Sequence, residues 1–271
     1  MAFATLQSVV DALPGQEYKF YKVRSASAGN IFISMWGGGS APAAGADPSS
    51  GLAGDIPTSA TTGAIPFVDP ASGNTYLGRL EIASLAAGAL SYPLIIYDRL
   101  WHNSGIVVTT TGAQTVNSTA LTRPDANGED AEVWLHVYSA TGAGAATPTI
   151  SYTNPAGTAG RTGTCIGYAA SAVTNRCFPF QLASGDTGVK SIESITLGTS
   201  LTSGTVGLII RRKVAMVSVQ PSSAVYPSAQ IYDAIALGMP RVYDDACLEF
   251  VTYPPSTTGA IVAGTINLIN G

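Results

Sequence analysis

Hydrolytic chemistry on a protein chain needs an activated nucleophile with a base in reach. This chain has only two histidines to act as that base, His102 and His136. His102 lies in Asp98-Arg99-Leu100-Trp101-His102-Asn103-Ser104-Gly105, so Asp98, His102 and Ser104 supply the residue types of a catalytic triad. Their spacing argues against that use, because triad members converge from separate loops, whereas this segment reads as a strand running into a turn. A polar strand end, with Asp98 pairing with Arg99 or capping the turn, is the plainer reading. His136 sits inside an alternating strand pattern and reads as a packing or interface residue. There is no G-x-S-x-G elbow and no cysteine in a papain-like context.

Metal and phosphate chemistry find no better footing. The three cysteines, Cys165, Cys177 and Cys247, lack metal-ligand spacing. They read as buried reduced thiols, with a Cys165–Cys177 disulfide as the alternative. Asp244-Asp245 has no accompanying acidic positions of a calcium loop. Gly157-Thr158-Ala159-Gly160-Arg161-Thr162-Gly163-Thr164 lacks the lysine of a Walker motif, so it reads as a glycine-rich turn between strands. Arg211-Arg212-Lys213 is the one basic run. It reads as a strand emerging at a sheet edge, where charge blocks unwanted pairing, or as a salt-bridge patch toward an acidic partner. Asn117-Ser118-Thr119 matches a glycosylation sequon, which has no meaning without export. No catalytic, cofactor-binding or metal-binding residue is assigned.

The elements that would position such residues are set by composition. Of 271 residues, 46% are hydrophobic and 11% charged, against about a quarter charged in an average soluble domain. With 13 basic and 17 acidic residues the net charge is −4, so there is no footprint for nucleic acid or an anionic membrane. Thirty glycines and 16 prolines suit a β-rich fold with many turns, not a helix bundle. Disordered chains are poor in apolar residues and high in net charge, and this one is the reverse. The start of the chain lacks a positive n-region and a sustained apolar h-region, and no apolar run reaches the ~20 residues of a membrane span. Synthesis and use without export are expected. Low surface charge invites association, which an obligate assembly partner would explain.

Along the chain, Leu6, Val9, Val10 and Leu13 fall on one helical face before Pro14-Gly15, predicting a short N-terminal helix of about ten residues. Tyr18–Arg24 and Asn30–Trp36 read as strands split by the turn Ser25-Ala26-Ser27-Ala28-Gly29, forming a hairpin or two neighbouring edges. Gly37 to Pro66 is an arm of Gly, Ala, Pro, Ser and Thr that cannot pack a core of its own. It reads as a linker, a disordered segment or a binding arm lying across a neighbouring subunit. Beyond it, short apolar runs bounded by Gly, Pro, Asn and Asp give the all-β signature. Strands are expected at 77–83, 94–100, 105–110, 132–139, 147–152, 164–169, 180–183, 189–196, 205–219, 246–253 and 261–269. Within 132–139, Val133, Leu135 and Val137 share one face and Glu132, Trp134, His136 and Tyr138 the other. Helical spacing of Ile231, Ala234 and Ile235 suggests a helix over 229–237. The expected fold is all-β: an antiparallel, jelly-roll-like β-sandwich over 67–271, preceded over 1–66 by the helix, short strands and extended arm.

Several segments together resemble a family of tailed-bacteriophage virion proteins, the capsid decoration or cement proteins. They are Ser34-Met35-Trp36 leading into the arm, Ala60 to Phe67, Asn74 to Leu77, Tyr97 to His102, Ile150 to Asn154 with Gly157 to Thr162, and Gly185 to Ile192. The resemblance covers roughly residues 34 to 220. It implies a structural role on the capsid exterior, with the major capsid protein as partner and self-association as a homotrimer, and it transfers no catalytic residues, cofactor, nucleic acid or membrane. A tail or neck component is the neighbouring alternative. Two rivals from other classes are a host-glycan-binding adhesion protein, for which Trp101, Trp134 and Tyr138 could form an exposed aromatic cluster, and a hydrolase resting on His102.

Overall fold

The computed structural model describes residues 3, 5–24, 30–84, 91–220, 229–254 and 259–271, and the turn expected at Ser25–Gly29 lies outside them. The elements are α1 (Leu6–Ala12), β1 (Gln16–Arg24), β2 (Phe32–Ser34), β3 (Thr75–Ser84), β4 (Tyr92–His102), β5 (Ala113–Thr115), β6 (Ala131–Ser139), β7 (Thr149–Thr153) and β8 (Arg161–Cys165). They continue with β9 (Arg176–Gln181), β10 (Ser191–Thr196), β11 (Thr205–Val219), β12 (Ala229–Tyr232), α2 (Ala234–Leu237), β13 (Arg241–Val242), β14 (Leu248–Thr252) and β15 (Ala260–Asn270). The fold is all-β and antiparallel, with a short N-terminal helix. The chain divides into two compact units: the first is Met1–Gly45, Thr58–Asp98 and Lys213–Gly271, the second Ala46–Pro57 and Arg99–Arg212.

In the first unit one sheet runs β1-β15-β3-β12, with β13 also paired to β3. The other is built on β14, which pairs with β2 on one side and β4 on the other. Inward residues of the two sheets meet in one core. Phe20, Leu80, Ile82, Val262, Ile266 and Leu268 come from the first sheet, and Leu94, Ile96, Val217, Leu248 and Phe250 from strands of the second. Phe20 and Phe250 touch with ring centroids 4.7 Å apart. Each such side chain contributes about 1.5–3 kcal/mol by leaving water.

Three local readings change here. β1 and β2 are not a hairpin, because β1 pairs with β15 and β2 with β14. The short helix α1 has 7 residues, capped by Thr5 and Ser8 in a reciprocal box. Of its expected apolar face only Val9 is buried, while Leu6 is 64% and Val10 48% exposed. The segment 229–237 is half strand: Ala229–Tyr232 pairs with β3, and only then does Asp233 cap α2, which Gly238 ends in the left-handed conformation.

In the second unit the residues of β11 up to Arg212 pair with β6, and the sheet continues through β9, β8, β7, β10 and β5. The expected strand at 105–110 does not form. The Gln114 side chain instead pins the backbone of Val107, accepting from its N–H at 2.8 Å and donating to its carbonyl at 3.0 Å. The strand β5 follows it. The glycine-rich stretch 157–164 is a turn that becomes β8 at Arg161.

Gly37–Pro66 lies against its own chain. In the first unit Gly45 N donates to Trp36 O at 2.8 Å and Ile65 N to Leu248 O at 3.0 Å. Lys22, buried on β1, donates from Nζ to Gly63 O at 3.2 Å. Burial pushes that amine down to about 8, against the opposing pull of Glu249. In the second unit Trp101 Nε1 donates to Ala53 O at 3.0 Å, and Asn103 Nδ2 to Leu52 O at 2.9 Å. Apart from Ile65, which joins the core of the first unit, the arm packs by meeting buried tryptophans that stand outside it. A Cβ on Gly45 would stand 2.2 Å from the Trp36 ring, and one on Gly54, whose φ is +67, 2.5 Å from the Trp101 ring. Glycine is what lets backbone approach those rings so closely.

Candidate functional site

Both faces of β6 are buried over residues 133–138. Val133, Leu135 and Val137 fill one face, and Trp134, His136 and Tyr138 the other. Against that second face the second unit gathers polar groups. Arg99, Arg211 and His136 are each 0% exposed, Cys177 1% and His102 4%. The members come from separate strands: Arg99 and His102 from β4, Arg211 from β11 and Cys177 from β9, where it pairs directly with His136.

Arg99 is the fork of the cluster. Its Nη1 lies 2.9 Å from His102 Nδ1 and its Nη2 3.4 Å from His136 Nδ1. A guanidinium only donates, so both Nδ1 atoms accept, and both rings are neutral with their proton on Nε2. His102 Nε2 then donates to Asp55 Oδ1 at 2.6 Å. Cys177 Sγ is 3.4 Å from His136 Nδ1, and the His136 ring stacks on Tyr138 at 4.5 Å. Arg123 Nη2 donates to the carbonyls of Arg99 at 2.8 Å and Pro57 at 2.7 Å. The Arg211 guanidinium lies 4.0 Å over the Trp134 ring, and Trp134 Nε1 donates to Glu132 at 2.8 Å.

Burial first, then the Arg99 charge, pushes His102 down to about 2. His136 is held well below its ordinary value by burial and then by Arg99, Arg211 and His102. A general base needs a lone pair facing substrate. On His102 the accepting nitrogen faces Arg99 and the other donates to Asp55. Ser104 Oγ donates to Pro48 O, and Asp98 Oδ1 accepts from Cys247 N at 2.9 Å in the first unit. The triad residue types are therefore engaged elsewhere.

Other sequence candidates are placed as follows. Trp101 is 0%, Trp134 3% and Tyr138 7% exposed, so these three do not form an exposed glycan platform; their mass packs inside the second unit. Arg211 is a core residue, Arg212 half-buried and Lys213 exposed. The edge reading fails at Arg211, which pairs with Glu132 of β6, but pairing with β6 ends at Arg212 and Lys213 lies past it. All three cysteines are buried and none is in a disulfide, and burial pushes Cys165 up to about 12. Among the described residues no group of three or more His, Cys, Asp or Glu is arranged to hold a metal, and no helix is long and apolar enough to cross a membrane.

Sequence reasoning missed Asp55, Arg99, Arg211 and Cys177 as members of one cluster. The available signal was Arg99 and Arg211 each directly following a run of apolar strand residues or its polar end, Leu94 to Asp98 and Val206 to Ile210. A second polar knot joins segments singled out in the sequence. Asp186 accepts from Tyr152 Oη, from Arg161 Nε at 2.8 Å and from Asn154 Nδ2 at 2.8 Å. Those donors, Arg161 first, hold its carboxyl down to about 2. Asp186→Ala should loosen the β7–β8 turn, read as faster hydrogen exchange across 150–165 with little change elsewhere. Its folded value is depressed, so its contribution is present above about pH 4 and is lost as pH falls toward 2. Unchanged exchange in the variant would remove the knot from any structural role.

No family model matches the chain, and no curated protein matches it. Among solved structures it is similar to the infectious bursal disease virus VP2 subviral particle, at 10% identity over 95% of this chain and 81% of that one, with a TM-score of 0.18. It is also similar to the Gt strain of infectious bursal disease virus, at 12% identity over 94% of this chain and 81% of that one, with a TM-score of 0.21. At these scores the likeness carries no argument.

Proposed function

We propose that the chain is a bacteriophage virion structural protein, of the capsid decoration or cement type, which binds the assembled head as a homotrimer and performs no catalysis. The observation that carries this reading is where the chemically capable side chains stand: His102, His136, Cys177, Arg99 and the aromatics Trp101 and Trp134 are buried. They hold strands together instead of facing solvent. The motifs that resemble decoration proteins support it further, since Tyr152, Asn154, Arg161 and Asp186 from separate motifs form one knot. A net charge of −4 with 11% charged residues suits assembly through apolar and main-chain contacts, which salt screens little.

A protein that binds the assembled shell but not its dissociated subunits stabilises the shell by RT ln(1 + [L]/Kd) at each site, about 2.7 kcal/mol at a hundredfold excess over Kd. Heads prepared without this chain should therefore rupture at lower temperature than heads to which it has been added back. The added protein should co-sediment with heads at a few hundred millimolar salt, and light scattering should give three times the chain mass. Equal rupture temperatures would count against cement, and release by moderate salt would move the reading to a tail or neck component.

A further inference from the structure

We propose that the Asp55–His102–Arg99–His136 chain is an acid-release device, in which protonation of either imidazole undoes the Arg99 fork and opens the second unit. This stands whether or not the chain is a virion protein. Both Nδ1 atoms are the acceptors for one guanidinium, at 2.9 and 3.4 Å. A proton on either ring removes an acceptor and places a second cation against Arg99. The rings are 4% and 0% exposed, so water cannot take over the lost contact or screen the repulsion.

The charged and titratable groups around the pair point the same way. His136 meets Arg99 and His102 from β4, Arg211 from β11, Cys177 from β9 and Tyr138 from its own strand. His102 meets Arg99 on one side and Asp55 on the other. The single carboxylate among these neighbours, Asp55, has its side chain 52% exposed and faces the ring already donating to it. His136 has cations around it on two strands.

The direction with pH follows from linkage. An unfolded histidine titrates near 6.5 and a buried neutral one does not, so the unfolded state takes up the proton and stability falls as pH drops below that value. Asp47 and Asp55 are raised by burial, which opposes this trend, and Asp186 acts only below about pH 4. Between pH 6.5 and 4.5 the histidine pair therefore sets the sign.

Urea unfolding of the whole chain at pH 7.5, 6 and 4.5 tests the proposal, with hydrogen exchange corrected for intrinsic rates to locate the opening. From pH 7.5 to 4.5 the unfolding constant should rise about 100-fold for each histidine, about 10,000-fold for the pair. Protection should be lost first in peptides from 99–212. His102→Gln and His136→Gln, which cannot titrate, should each remove about 100-fold of that rise. Should either variant fail to fold, the proton uptake of the parent chain, about two per molecule unfolded near pH 5, still decides. A rise below tenfold in the parent, full pH dependence in the variants, or protection lost first in peptides of the first unit would overturn it.

Discussion

Trp36→Ala should lower the stability of the first unit by about 3–5 kcal/mol, the range for deleting a buried aromatic side chain. It should also expose 37–45 and 58–66 to proteases. The ring is 2% exposed and packs with Ala64 and Cys247, while Gly45 approaches it too closely for any Cβ and Gly63 is pressed against both Gly45 and the ring. Apart from Ile65, which joins the core of the first unit, these segments carry little apolar bulk, so the indole is their main support. Urea unfolding and timed proteolysis at neutral pH would measure both effects. Gly45→Ala should act in the same direction with a smaller loss, about 1–3 kcal/mol, because the ring can shift but not vanish. A loss below about 1 kcal/mol for Trp36→Ala would mean that Ile65 and the backbone hydrogen bonds hold the arm without the indole.

Arg99→Met should cost the second unit about 2–6 kcal/mol, although methionine fills much of the same space. Two buried imidazole nitrogens would lose their donor, at about 1–3 kcal/mol each. The variant should also show a shallower loss of stability between pH 6.5 and 4.5 than the parent. With the like charge gone, folded-state protonation of His102 and His136 becomes easier and the difference in proton uptake narrows. Parent-like stability in Arg99→Met, measured by urea unfolding at pH 7.5, would show that the fork adds nothing. An unchanged pH slope would show that the guanidinium does not govern the imidazoles.

The all-β class was legible because alternation and turn punctuation are local. The run 132–139, read as a strand from Val133, Leu135 and Val137, is β6. What the sequence did not show depends on pairing across long separations. β1 finds β15, not β2, and nothing within 16–36 announces that. Ala229–Tyr232 has helical apolar spacing but pairs with β3, so tertiary context overrides the local pattern. Polar character misled most at the candidate site. Trp134 read as part of an exposed aromatic cluster and Arg211 as an edge residue, because one-sided burial is the usual fate of an antiparallel strand. Here the second face is also covered, and the buried charge is accommodated by stacking and hydrogen bonds that single-strand patterns cannot reveal. The arm's contacts with its own chain were hidden for a related reason: the tryptophans it meets stand outside it.

The place of β15 between β1 and β3 bears on the order in which the protein matures on the ribosome. The second unit is complete once residue 212 has been made, since it draws only on Ala46–Pro57 and Arg99–Arg212. The first cannot join β1 to β3 until Ala260–Asn270 has emerged, because that strand pairs with both. Until then β1 and β3 are nascent strands with an open seam. Such unpaired edges invite chaperones or mispairing with a neighbouring nascent chain. Vectorial synthesis thus favours the second unit as the early folder and leaves the first to close late.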